Sequence, residues 1–276
     1  MDICIFQKGF NFSQDGPGNR LVYHLQGCNM RCPWCSNPEG MCAPGDSTDS
    51  KYNFKRDSNG DSKDDSKRDF KGDFGDKLNR CCETIDTDDI IDEVSRSRMM
   101  FFDGGGVTFT GGEATLQFEP LRLLLSELKA MDVNTALETN GSCDRLTELF
   151  PLIDFLMIDL KHYDDKTHID VIGHGNKTVV ENILSAARLR SQLLIRIPLI
   201  GGFNASARDA EGFSAVLAPV VGTNIKVEVL RYHEYGRDKW ARCGMKYNVE
   251  NAFVSDSQFL SFCRILTDSG IEIIKT

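Results

Sequence analysis

Apolar and polar positions change period several times along this chain, and each change marks an element. Residues 3–12 alternate weakly between the two and predict a short N-terminal strand. Leu21-Val22-Tyr23-His24-Leu25 is a brief apolar run and predicts a second strand, separated from the first by the turn-dense Ser13–Arg20. From residue 84 the pattern becomes regular. Thr87-Asp88-Asp89 opens a helix to about 98, with Ile90, Ile91 and Val94 on its apolar face. Gly104-Gly105-Gly106 breaks it, and Val107-Thr108-Phe109 predicts a strand. Leucines at 121, 123, 124, 125 and 128 predict a helix over 118–131. Further strands are expected at 134–137, 155–158, 194–197, 225–230 and 271–274. Helices near 144–150, 179–190, 207–217 and 257–267 separate them.

Repeated strand–helix alternation implies a parallel sheet with right-handed crossovers, and so an α/β fold. A full eight-fold barrel typically needs ~250 residues. With one stretch set aside, this chain has room for a smaller, open barrel. That stretch is 46–77, where Asp, Ser, Lys, Gly and Asn replace the apolar blocks and acids and bases nearly balance. It lacks the apolar surface to offset its ordering entropy. It reads as a flexible, solvated insertion within a single domain spanning 1–276.

Bulk composition narrows the function classes. Of 276 residues, 41% are hydrophobic and 26% charged, which suits an ordinary globular core. A formal net charge of −9 argues against nucleic acid or an anionic membrane as the main partner. The N-terminus lacks the charged and apolar regions of a signal peptide, and no apolar run reaches the ~18 residues of a membrane span. A cytoplasmic protein is the expectation. Its ten cysteines would then be reduced.

The chemistry concentrates in Cys28, Cys32 and Cys35, spaced C-x3-C-x2-C directly after the second strand. Closed zinc and iron–sulfur sites normally take four protein ligands. Three thiolates within eight residues suit a [4Fe–4S] cube with its fourth iron open to a substrate. A zinc site with a distant fourth ligand, or plain buried cysteines, are the alternatives. Cys42, Cys81 and Cys82 lack a repeated spacing and read as buried small residues, a second ligand set being the other reading.

Other candidates sit just after later strands, on the edge where α/β sheets place their sites. Gly111 and Gly112 permit close backbone approach, and Glu113 offers an acceptor for an ammonium, unless the trio is a plain turn. Asp159 and Lys161, two apart, face one way as a ligand-binding pair or a surface ion pair. Glu138 and Thr139 end the preceding strand, and with Asp159 offer oxygens to a small cation. Arg196 lies inside an apolar strand and needs a partner. His233 follows the sixth strand, as a ligand contact or a structural residue. Trp34 either faces a ligand on the open iron or shields the cluster. Converging on one iron, these groups would suit a zwitterionic amino-acid moiety.

With those residues in place, the chain resembles the radical S-adenosylmethionine superfamily and, within it, the activating enzymes of glycyl radical enzymes, such as those of the pyruvate formate-lyase activating type. The matching stretches are DGPGNR (15–20), QGCNMRCPWCSNPE (26–39), GGGVTFTGGEATLQ (104–117), ETNG (138–141), DLK (159–161) and YHEYGRDKW (232–240). The cysteine motif marks the superfamily, and DGPG, GGGVT-x-x-GGE and YHE-x-G-x-x-KW mark the activases. The resemblance implies a partial (β/α)6 TIM-like barrel of the radical SAM type. It implies one [4Fe–4S] cluster on Cys28, Cys32 and Cys35, and S-adenosylmethionine chelated at the open iron. Trp34, Cys35, Ser36 and Gly112 would line that cofactor, with Gly111 and Glu113 near its ammonium. Asp159, Leu160, Lys161 and His233 would hold its methionine and ribose parts, and Arg196 would assist. Glu138, Thr139 and Asp159 match a monovalent-cation site.

The implied oxidoreductase reaction begins with an electron from flavodoxin or ferredoxin. It yields a 5′-deoxyadenosyl radical that takes hydrogen from a glycine of a partner glycyl radical enzyme, with the activase acting as a monomer. A radical enzyme acting on a small molecule or peptide, and a non-catalytic iron–sulfur or zinc module, are the competing classes. Two departures stand out. Ser36 replaces the histidine of some relatives. The charged stretch 46–77 stands where many activases carry a ferredoxin-like insert with eight clustered cysteines, so one cluster is expected.

Overall fold

The computed structural model describes residues 1–42, 82–189 and 192–274. Its strands join into one nine-stranded sheet, ordered β3-β1-β2-β4-β5-β6-β7-β8-β9. From β2 (Asn19–Leu25) through β4 (Gly106–Gly111), β5 (Thr135–Thr139), β6 (Phe155–Asp159), β7 (Leu193–Leu199), β8 (Ile225–Arg231) and β9 (Ile273–Ile274), every pairing is parallel. β1 (Asp2–Phe12) is antiparallel to both β2 and the edge strand β3 (Glu83–Asp86). Among the described residues the edge strands β3 and β9 do not pair with each other, so the barrel is open.

Helices cover the outer face. The described helices are α1 (Thr87–Ser97), α2 (Phe118–Ala130), α3 (Asp165–Ile172), α4 (Lys177–Leu189), α5 (Ala207–Leu217), α6 (Arg237–Arg242) and α7 (Asp256–Asp268), of which α6 lies instead against the cysteine loop. Alternation along β2 shows the two faces. Tyr23 turns outward and donates to Glu93 of α1 at 2.7 Å, while Arg20 turns inward and donates to Thr108 of β4 at 2.7 Å. The outer face and the helices share one apolar core, to which Leu21, Tyr23, Leu121, Leu124, Ile183, Phe213 and Phe262 belong. The inner apolar cluster is small, built on Ala136, Met157 and Leu194, so polar groups fill much of the interior. No helix among the described residues is long and apolar enough to cross a membrane.

Among the elements that differ from the sequence expectation, α6 is only six residues long, too short for a pattern to register. The helix expected near 144–150 is a 3₁₀ segment, Leu146–Leu152, containing Pro151, which cannot donate to a helical ladder. The eight residues of α3 carry too short a pattern to register, although Asp164 caps them through Thr167 N at 2.8 Å and Gly173 ends them at φ 80°. β3 exists as an edge because β1 lies beside it, not because Glu83-Thr84-Ile85-Asp86 is strand-like. The cap of α1 is Asp86, one residue earlier than expected, accepting from Asp88 N at 2.9 Å. The charged stretch 46–77, and Cys81, lie outside the described residues.

Parallel register levels the strand ends. Leu25 stands opposite Gly111, Thr139 opposite Ile158, and Asp159 opposite Arg196, which in turn faces Glu228. The loops that follow therefore meet over one end of the sheet.

Candidate functional site

Over that end lies a cavity of about 470 Å³. Cys28, Cys32, Cys35, Trp34, Ser36, Gly111, Gly112, Glu138, Thr139, Asp159, Lys161 and His233 all line it. Glu113, Leu160 and Arg196 do not reach it. Residues not singled out as site candidates also line it, among them Gln14, His24, Thr110, Ile200 and Tyr232. Thr110 and His24 had a signal in their inward strand parity, and Tyr232 opens the YHEYGRDKW stretch; Ile200 follows the strand that carries Arg196.

The cysteine loop is seated by its neighbours' backbone. Gln26 N donates to Cys4 O at 2.9 Å and Gly27 N to Gly40 O at 3.0 Å. Gly112 N donates to Leu25 O at 3.0 Å and Glu113 N to Gly27 O at 2.6 Å. A Cβ on Gly112 would fall 2.1 Å from Gly27 O, and one on Gly111 2.3 Å from Leu25 N. The two glycines thus admit the protein's own cysteine loop, a closer constraint than ligand access. Glu113 serves the same packing. Its buried carboxylate accepts from Thr115 N (3.0 Å), Thr115 Oγ1 (2.6 Å), Thr139 Oγ1 (2.7 Å) and Asn140 N (2.6 Å), so it pins the end of β5.

Two ion-pair systems sit side by side on the inner face, since Asp159 of β6 is in register with Arg196 of β7. Lys161 Nζ lies 2.7 Å from Asp159 Oδ2, with side chains 12% and 23% exposed. Burial works against the Lys161 charge, but the Asp159 carboxylate beside it outweighs that and raises its pKa, and thiolates at Cys32 and Cys28 act in the same direction. Arg196 is deeper. Its Nη1 meets Glu138 Oε1 at 2.5 Å and its Nε meets Glu228 Oε2 at 2.9 Å, while Nη2 donates to Gln14 O. Burial opposes this charge too, and Glu138 and Glu228 overcome it. The other oxygen of Glu138 accepts from Thr110 Oγ1 at 2.8 Å. Leu160 is wholly buried, its N donating to Arg196 O at 2.8 Å.

Aromatic rings close the rest. Trp34 packs on Phe203 with centroids 4.8 Å apart, and His233 stacks on Tyr235 at 4.3 Å. Tyr235 N donates to His233 Nδ1 at 3.4 Å, and burial lowers the His233 pKa, so the neutral ring carries its proton on Nε2.

The three thiols have a distinct environment. Burial pushes Cys28 up to about 11, Cys35 up to about 12, and Cys32 upward as well. Met30 N donates to Cys28 Sγ and Asn37 N to Cys35 Sγ, each at 3.4 Å, the kind of contact that stabilises thiolate bound to metal. Among the described residues, no three His, Cys, Asp or Glu side chains gather closely enough for a single ion. Three thiols lining one cavity suit an iron–sulfur cluster with one open iron, whereas a closed zinc site takes four protein ligands.

Residues 22–210 match the family described as the Radical SAM superfamily. The chain belongs to the radical SAM superfamily. That membership brings a [4Fe–4S] cluster and S-adenosylmethionine with it, and the three cavity thiols fit the cluster. The 4-hydroxyphenylacetate decarboxylase activating enzyme of Clostridioides difficile (strain CD196) is 29% identical over 93% of this chain and 90% of its own. The choline trimethylamine-lyase activating enzyme of Oleidesulfovibrio alaskensis is 31% identical over 88% of each. This radical SAM enzyme therefore groups with activating enzymes. A solved domain of the pyruvate-formate lyase-activating enzyme from Bacteroides vulgatus superposes with TM-score 0.50 at 27% identity, covering 62% of this chain and 98% of that one. A radical SAM methyltransferase from Sphaerobacter thermophilus shares the fold, with TM-score 0.59 over 99% of this chain and 72% of its own at 14% identity.

Proposed function

We propose that this enzyme activates a glycyl radical enzyme, with Cys28, Cys32 and Cys35 holding a single [4Fe–4S] cluster. The observation that carries the reading is the convergence of those thiols with the Lys161–Asp159 pair and His233 on one cavity. The cofactor pair supplies the chemistry when bound: reductive cleavage of S-adenosylmethionine gives methionine and a 5′-deoxyadenosyl radical, which takes hydrogen from a glycine Cα of the partner. The chain's residues bind, orient and exclude water. Lys161, kept charged, attracts the carboxylate, and Asp159 stands beside it to fix its position. His233 offers a neutral N–H to a ribose hydroxyl. Trp34, backed by Phe203, and the Ser36 backbone form the wall against the adenosyl part. Gly111, Gly112 and Glu113 act through the cysteine loop and the end of β5. Arg196 and Leu160 act from behind the cavity wall.

The finer reading adds an electron from flavodoxin or ferredoxin, a cytoplasmic setting and a monomeric enzyme of one domain. A monovalent cation at Glu138, Thr139 and Asp159 would have to share Glu138 with Arg196 and Asp159 with Lys161.

The test is anaerobic reconstitution, iron analysis, and incubation with reductant and S-adenosylmethionine. About four irons per cluster and release of 5′-deoxyadenosine are expected. Glycyl radical should then appear by electron paramagnetic resonance on a candidate partner of the choline-lyase or hydroxyphenylacetate-decarboxylase type. No 5′-deoxyadenosine from iron-loaded protein, with or without partners, would end the radical reading. Product without a glycyl radical on any partner would turn it toward a small molecule or peptide.

A further inference from the structure

The segment after β8 folds back onto the cysteine loop and lies beyond the residues matched by the superfamily, 22–210. Its contacts converge on the third cysteine. A Cβ on Gly236 would stand 2.6 Å from Ser36 Cα and 2.7 Å from Cys35 O, so only glycine lets the backbones meet. Trp240 Nε1 donates to Cys35 O at 2.9 Å, and its ring meets Tyr247 edge-on at 5.5 Å. Lys239 Nζ donates to Asn37 Oδ1 at 2.8 Å and pairs with Glu39 Oε1 at 2.9 Å, the two side chains only 24% and 18% exposed. Asn37 in turn aims its backbone N–H at Cys35 Sγ. Nothing in the proposed reaction uses Lys239 or Trp240.

We propose that Lys239 and Trp240 are positioning residues that hold Cys35 and the Asn37 N–H in register, and thereby set the reduction potential of the cluster. The inference rests on the cysteines holding that cluster. An N–H directed at a ligating sulfur stabilises the negative charge that reduction adds, and so raises the potential. Cys35 lies on a short irregular loop with no ladder of its own. Trp240 fixes the Cys35 peptide by its carbonyl, and Lys239 fixes Asn37 by its side chain. Because Glu39 neutralises Lys239, the pair works mainly through geometry, and its field at the cluster is small.

The experiment compares wild type with Lys239→Met, Lys239→Arg, Trp240→Phe and Glu39→Gln. In reconstituted protein the midpoint potential is followed by redox titration of the reduced-cluster resonance. In the metal-free protein, alkylation of Cys35 is timed by peptide mass spectrometry. Lys239→Met and Trp240→Phe should shift the potential downward. Each should also speed Cys35 alkylation roughly fivefold, the population change that loss of one ordinary hydrogen bond allows. Lys239→Arg should recover part of both effects. Glu39→Gln, which leaves Lys239 uncompensated, should shift the potential upward. Wild-type potential and wild-type Cys35 reactivity in both Lys239→Met and Trp240→Phe would overturn the proposal. If wild type itself takes up no cluster, the underlying functional reading fails instead, while the alkylation rates still judge the latch.

Discussion

At the scale of single residues, the site separates groups that face the cavity from groups that hold its walls. Glu113 belongs to the second kind, with four donors on one buried carboxylate. Glu113→Gln replaces one acceptor oxygen with an NH₂ that confronts donors. We expect it to lower the stability of the metal-free protein by about 1–3 kcal/mol in urea. A raised KM for S-adenosylmethionine with unchanged stability would instead make Glu113 a cofactor contact. Arg196 is the sharper case. Its neighbours Glu138 and Glu228 have side chains 21% and 4% exposed, so Arg196→Met strands two carboxylates together. A loss of roughly 3–5 kcal/mol is expected from breaking such a buried pairing. Denaturation within 1 kcal/mol of wild type would show that the carboxylates find other partners. His24 shows the opposite imbalance. Among the described residues its buried Nδ1 has no hydrogen-bond partner, and its ring lies 5.6 Å from Phe6. His24→Phe should therefore leave the melting temperature of the metal-free protein unchanged or higher, since an apolar ring of similar shape carries no unsatisfied nitrogen. A lower one would show that the nitrogen is paired in solution.

At the scale of elements, β5 is tied down at both ends. Asp154 accepts from Thr135 N at 3.0 Å at its start and pairs with Lys129 at the end of α2. Burial works against the Asp154 charge, but Lys129 and the Thr135 N–H outweigh it and depress its pKa. A depressed carboxylate contributes stability that is fully present above its unfolded pKa, about 4, and is lost as pH falls through the lower folded value. Stability measured from pH 6 down to 2.5 should therefore drop more steeply in wild type than in Asp154→Asn. Parallel profiles would remove Asp154 from the acid response. The long helices and inner strands of the fold were legible because their periodicity is local: Leu121, Leu124 and Leu128 declare one face whatever lies opposite. α3, α6 and β3 were not. They are short, and their stability comes from neighbours distant in sequence, such as β1 beside β3.

At the scale of the whole molecule, the open sheet should be unequal in stability. Strands β4 to β7 are flanked on both sides, whereas β3 and the two-residue β9 are edges. Native-state hydrogen exchange should be slowest in β4–β7 and fastest in β3 and β9. Slow exchange in β9 would mean that this edge is covered in solution. The same architecture explains how the site assembles. Level strand ends bring residues from 14 to 239 around one cavity, and the late segment reaches back to Cys35.

By itself, the sequence determined the alternation that makes a parallel sheet and the strand ends that carry chemistry. It also determined the cysteine spacing that belongs to the radical SAM superfamily. Each is a property of a few consecutive residues. Tertiary structure alone decided which strand-end groups meet the cavity and which meet each other. Lys161 and Asp159 turn toward the thiols, Glu113 turns to the end of β5, and Arg196 is enclosed by Glu138 and Glu228. The physical reason is that a buried charge is defined by its neighbours across the sheet. Register and closure set those neighbours, which the local pattern does not specify.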